Sequence, residues 1–148
     1  MVLHKAQEGC RNHIKGLVAD ARIIVNEHWR FHYRNNASLP PQDKAKLNVW
    51  LRQRGDSLEI YWTHYKFIKL PSYASAKVLS TYIPKGASHQ YPTQRLTRQA
   101  KSWEIETVLD IEKRMAKIRA EFADVSKALT ALKRAERKAV ARAVSNPD

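Results

Sequence analysis

Five side chains around one turn have the types and spacing to meet a polyanion. In "NVWLRQRGDSLEIYW" and the residues just after it, Trp50, Arg52 and Arg54 alternate along one run, and Tyr61 and Tyr65 along the next. Aromatic rings stack on unpaired bases, and guanidinium groups hold phosphate or base edges through two parallel hydrogen bonds. A two-residue type II′ turn wants glycine at its first central position, which Gly55-Asp56 supplies. That turn sets Arg54 opposite Ser57, Arg52 opposite Glu59, and Trp50 opposite Tyr61. Cross-strand partners share a face, so Trp50, Arg52, Arg54, Tyr61, Thr63 and Tyr65 fall together with Glu59. Leu47, Val49, Leu51, Leu58, Ile60 and Trp62 form the opposite, core side. Two readings of the polar face stay open. It is a platform for nucleic acid, or it is ordinary packing under a helix or partner, with Arg52–Glu59 a solvated ion pair.

Further cations lie outside this hairpin. "LKRAERKAVARA" carries Lys133, Arg134, Arg137, Lys138 and Arg142 near the end of the chain. It reads either as a basic helical arm gripping phosphate or as a solvated helix end whose cations complement the helix dipole. Residues 69 to 98 add Lys69, Lys77, Lys85, Arg95 and Arg98, with Tyr73, Tyr82 and Tyr91 among them. Within them "IPKGASHQYP" is either a finger entering a groove, with Lys85 and His89 near phosphates, or a long connection.

No catalytic constellation emerges. His28 and His32 in "HWRFH" sit one helical turn apart, but without a third ligand or the glutamate of a metalloprotease helix they imply no metal. His28 is expected to cap an apolar stripe and His32 to face solvent. Cys10 falls on the same stripe as a small hydrophobe, with only His13 nearby as a base. Glu104, Glu106, Asp110 and Glu112 complement a helix start and are expected to pair with Lys113 and Arg114. There is no phosphate-binding loop, dinucleotide fingerprint or nucleophile elbow. The reading is therefore of a non-enzymatic protein without a cofactor or a metal.

The elements that must position these groups follow from periodicity. Apolar Cys10, Ile14, Leu17, Ala21, Ile24 and His28 share one stripe of a helix over residues 4–33, weakened mildly by Gly16. "RNNASLPPQDK" breaks it. A three-stranded antiparallel meander over 46–83 follows, with "LPSYASA" connecting to "KVLSTYI". From about residue 94 to 144 there is no Pro or Gly, and Val108, Ile111, Met115, Ile118, Phe122, Val125, Leu129 and Leu132 form a heptad seam. One helix over that span would run about 75 Å. It must project, bend near its start, or find a second chain, and "VSNPD" closes the chain as a frayed tail. The class is α+β: an N-terminal helix, a meander and a long C-terminal helix, with residues 1–125 one domain and 126–148 a basic extension and tail.

The whole-chain numbers agree. In 148 residues there are 27 Lys and Arg against 14 Asp and Glu, a net charge of +13. Residues 36 to 100 carry ten basic and three acidic groups, over half of that excess. A surplus of this size favours a polyanionic partner, nucleic acid before anionic membrane. One cysteine, no signal-peptide core and no long apolar run point to a cytoplasmic protein without a membrane span.

Across "VWLRQRGDSLEIYW", "TYIPKG…Y" and "WEIETVLDIEKRMAKIRAEF", over residues 46 to 125, the chain resembles the MobI-type accessory proteins of conjugative elements. The resemblance implies work in a nucleoprotein assembly at an origin of transfer, where a separate relaxase cleaves the DNA. The expectation is thus a DNA-binding accessory protein, dimeric through the Val108–Leu132 seam. Trp50, Arg52 and Arg54 would contact nucleic acid, Tyr61 and Tyr65 would stack or position, and Lys133, Arg134, Arg137 and Lys138 would clamp phosphate. Its alternatives are a helical interaction module of phage or plasmid origin docking on an acidic host protein, and an RNA-binding protein.

Overall fold

Apolar residues three and four apart bury a single stripe of a helix, and the first helix does so for most of its length. A computed structural model describes residues 2–68 and 77–145. Helix α1 spans Val2–Asn36, and Ile14, Leu17, Val18, Ala21 and Ile24 along it are buried. Asn36 ends the helix by clamping the chain ahead. Its Nδ2 donates to the Ala45 carbonyl at 3.0 Å, and its Oδ1 accepts the Ala45 N–H at 2.7 Å. A side-chain amide that mimics a strand partner explains why the chain turns here and where the sheet begins.

Strands β1 (Leu47–Arg54), β2 (Ser57–Ile68) and β3 (Lys77–Tyr82) form an antiparallel sheet in the order β1-β2-β3. The register is the one the Gly55-Asp56 turn requires: Arg54 pairs with Ser57, Arg52 with Glu59, Trp50 with Tyr61 and Leu47 with His64. Gly55 has φ +55°, a conformation costly for any side chain bearing a Cβ. Leu47, Val49, Leu58, Ile60 and Trp62 face the core and are buried. The connection "LPSYASA", with Lys69 and Tyr73, and the last residues of the tail lie outside the described residues.

The Pro- and Gly-free stretch is not one helix. It divides into a short helix α2, Thr93–Thr97, a turn of 3-10 helix at Ser102–Glu104, and helix α3, Ile105–Ser145. Local capping overrides propensity at the break. The Lys101 N–H donates to Glu104 Oε2 at 2.9 Å, the Trp103 indole N–H to the Asp43 carbonyl at 2.9 Å, and Leu96 is wholly buried. The bend near the start was one of three outcomes open to so long a helix.

The seam is filled within the chain. Val108, Ile111, Met115, Ile118 and Leu129 are buried in the same core as α1 and the sheet, with Phe122 and Val125 packed against it. Helices α1 and α3 run antiparallel: Arg114 pairs with Glu27 at 2.5 Å, and Gln7 Nε2 donates to Glu136 at 2.7 Å at the other end. Helix α1 lies against β1 and α3 against β2. The packed body reaches past residue 125 to Glu136, and residues 137 to 145 are exposed.

Two charged or polar groups sit differently from expectation. Glu112 does not pair with Lys113 at the surface; it is buried and held by Arg119, with Nη1–Oε2 at 2.8 Å and Nη2–Oε1 at 3.0 Å. Trp62 Nε1 (3.0 Å) and the Tyr91 N–H (2.8 Å) also donate to Glu112, while Arg119 bonds the carbonyls of Ile60 and His89. A buried ion pair is tolerable when its remaining hydrogen-bonding capacity is used in this way. His32, expected in solvent, is buried, because the helix turns its C-terminal end onto the start of the sheet. There its Nε2 meets Asn36 Nδ2 at 3.2 Å.

Candidate nucleic-acid interface

Alternation along β1 and β2 puts Trp50, Arg52, Arg54, Tyr61, Thr63 and Tyr65 on the face opposite the core, where Trp50, Arg52 and Arg54 are exposed, Tyr61 and Tyr65 half-buried and Thr63 buried. Trp50 is 39% exposed, and the Arg52 side chain 49%. Arg54 is exposed and makes no ion pair among the described residues. Arg52 bonds Glu59 across the strands, and its guanidinium lies 5.7 Å from the Tyr61 ring centre, a cation–π distance. Glu59 raises the already high Arg52 pKa, so this cation keeps its charge at any physiological pH. Trp50 is oriented by its Nε1–H, which donates to Thr63 Oγ1 at 2.7 Å. A fixed indole beside two guanidinium groups can stack on a base while the cations hold phosphate.

Two aromatic residues absent from the sequence-based set join this face. Trp29 of α1 reaches around the β1 edge to meet the Trp50 ring at 5.0 Å, and Tyr82 of β3 meets Tyr61 at 5.9 Å. Trp29 follows His28 on α1, one place off the apolar stripe. That offset was the available sign that it reaches a neighbouring surface.

Tyr65 stands at the far end of the sheet. Its hydroxyl donates to the Ala45 carbonyl at 3.2 Å and its ring edge meets Phe67 at 5.7 Å. Burial raises its pKa, so it stays a neutral donor.

The basic end of α3 comes to the hairpin tip. Lys133 Nζ is 3.1 Å from Asp56 Oδ2, and Arg11 Nε is 3.4 Å from the same oxygen. The two cations hold the Asp56 carboxyl below the usual carboxylate range. Lys133 is therefore engaged within the fold, whereas Arg134, Arg137 and Lys138 are exposed. Arg137 lies one turn beyond Lys133 on the same side of the helix. Arg54 and these cations thus belong to one end of the molecule.

Lys85 is not brought to this surface. Its ammonium donates to the Gly86 and Ser88 carbonyls of its own loop, Arg95 closes the same loop through the Pro84 carbonyl at 2.6 Å, and Tyr91 is buried. Of the two readings of this loop, the structure has the folded connection: Tyr91 anchors it by donating from its hydroxyl to the Ile83 carbonyl at 2.8 Å. Burial pushes the Tyr91 pKa up to about 12.

The chain is thus an α+β body with a cationic, aromatic sheet face and a basic helix end. A family model, MobI protein, matches residues 17–133, most of the chain and all of its described sheet. The chain belongs to the MobI family, which places it among mobilisation-related accessory proteins. No curated protein and no solved structure matches it. Among the described residues, no helix is long and apolar enough to cross a membrane.

Proposed function

We propose that this protein is a cytoplasmic, non-enzymatic DNA-binding accessory factor that helps initiate conjugative transfer at an origin of transfer, beside a relaxase that cleaves the strand. The observation that carries the reading is the outer face of the sheet, where Trp50, Arg52 and Arg54 are exposed, together with the exposed Arg134, Arg137 and Lys138 on the end of α3, whose Lys133 meets the hairpin tip at Asp56. Trp50 and Tyr61 stack or position, Arg52 and Arg54 reach phosphate or base edges, and the end of α3 holds the backbone. Lys133 shares in this only by giving up Asp56. Membership of the MobI family supports the mobilisation context.

A gel-shift panel of duplex DNA, single-stranded DNA and RNA at two salt concentrations tests this. Duplex binding that weakens steeply with salt supports it. Tighter binding to RNA than to either DNA replaces DNA by RNA as the ligand.

One observation favours a second reading, an interaction module docking on an acidic host protein. Phe67, Val78, Leu79 and Tyr82 are all at least half exposed at the β2–β3 side of the sheet. A pull-down after nuclease digestion separates the readings, since a protein partner survives it. Because α1 fills the heptad seam, a homodimer would have to use another surface, for which the exposed strand β3, at one edge of the described sheet, is a candidate. Mass measurement in solution tests that pairing.

A further inference from the structure

Where α1 ends over the sheet there is a cavity of about 400 Å³, bounded by the α1 C-terminus, the loop after it and the end of β2. Its volume lies in the usual range for small-ligand sites. The walls are Tyr33, Tyr65 and Phe67, joined by Lys44 and Lys46, with the buried His32 beside them. The rings are set at steep angles: His32–Tyr33 at 83° and Tyr65–Phe67 at 89°.

The hydrogen bonds here leave one group unsatisfied. Asn36 Oδ1 accepts the Ala45 N–H, which fixes the amide orientation, so Nδ2 is the atom facing both the Ala45 carbonyl and His32 Nε2. Nε2 therefore accepts, and the proton of the neutral ring is on Nδ1. Burial lowers the His32 pKa, which keeps the ring neutral. That Nδ1–H has no partner although His32 is 2% exposed. That nitrogen is itself shielded from solvent, so it belongs to the wall of the cavity and not to its opening.

We propose that this cavity receives one unpaired nucleobase of a bound nucleic acid, with Lys44 and Lys46 on its flanking phosphates. The inference rests on the nucleic-acid reading of the sheet face and adds a subsite to it. Flat apolar walls suit a ring, and two ammonium groups suit a ring tethered to phosphate. An aromatic side chain of a protein partner brings no such anion. By strand alternation Tyr65 and Phe67 share the face of Trp50 and Tyr61, so a strand lying on that face leads to the cavity.

The test compares a labelled DNA duplex with the same duplex carrying one bulged nucleotide, bound by the full chain. The wild type should prefer the bulged duplex by about 5- to 100-fold, as expected for one stacked base. Tyr33→Ala, at an exposed wall position, should bring that ratio toward one. Arg52→Ala with Arg54→Ala should weaken binding to both and keep the ratio. Equal wild-type affinities, or a ratio that Tyr33→Ala leaves intact, overturn the base site while the sheet face stands. Binding to neither duplex overturns both.

Discussion

Arg119 and Glu112 show how much of this protein's stability rests on single side chains. Arg119→Met would leave the Glu112 carboxylate buried with its cation gone, keeping only the donors from Trp62 and Tyr91. The expected loss is about 3–5 kcal/mol, measured by urea unfolding. Two other buried groups set an opposed pair of pH effects. His28, whose Nε2 donates to the Leu47 carbonyl at 3.1 Å, is lowered by burial from 6.5 to about 4. Between those values the unfolded chain takes up a proton that the fold refuses, so stability falls as pH drops. Glu104 is raised by burial from 4.5 to about 7, so its contribution is full below 4.5 and fades as pH rises to 7. Between about 4.5 and 6.5 the two oppose each other. Glu104→Gln should remove one slope, and stability should then rise with pH more steeply than in the wild type, by about 2 kcal/mol over that window. Parallel unfolding curves for the two proteins would contradict it. The sequence placed His28 on the apolar stripe of α1 and Glu104 at a helix start, but the Arg119–Glu112 pair was not legible. A charge on a helix reads as solvated until its partners are known, and those of Arg119, besides Glu112 on its own helix, come from β2 and the loop at His89.

Elements were easier to read than residues, because they depend on local pattern. The hairpin register followed from one glycine and strict alternation, since a slip of one residue would turn Leu47, Val49 and Ile60 to water. The apolar stripe of α1 and the seam of α3 were legible for the same reason, and each supplies the other's partner. The break at residues 98–101 was not, because it depends on Trp103 finding Asp43 and on Glu104 capping a new helix start. Nor was the docking of the hairpin tip on α3, which needs a contact between residues 56 and 133. That contact makes its own prediction. Asp56 holds two cations in a half-exposed setting, so Asp56→Asn should cost no more than about 1 kcal/mol of stability. By releasing Lys133 and Arg11 it should raise affinity for duplex DNA and steepen the salt dependence by about one unit of slope. Unchanged binding would mean that the tip and the end of α3 lie outside the interface.

At the scale of the whole molecule, the helices pack on the core side of the sheet, and the C-terminal part of α1 also borders the outer side at Trp50, Tyr65 and Phe67. The net charge of +13 favours a polyanionic partner, and in the proposed function the outer face decides where it would rest. The sequence could place the right residues on one face of a hairpin, but whether a helix or a partner covered that face was a tertiary question. The candidate site was therefore legible as a pattern and undecided as a surface. Trp29 and Tyr82 enlarge it and Lys85 leaves it, each through contacts between elements distant in the chain. The most direct test is the salt dependence of duplex binding by the wild type and by Arg52→Ala/Arg54→Ala. If Arg52, Arg54, Arg134, Arg137 and Lys138 each meet a phosphate, the logarithm of the affinity should fall with that of salt with a slope of about −4 to −5, and the double variant should flatten it by about two. An affinity indifferent to salt, or a slope that the two substitutions do not change, would contradict it.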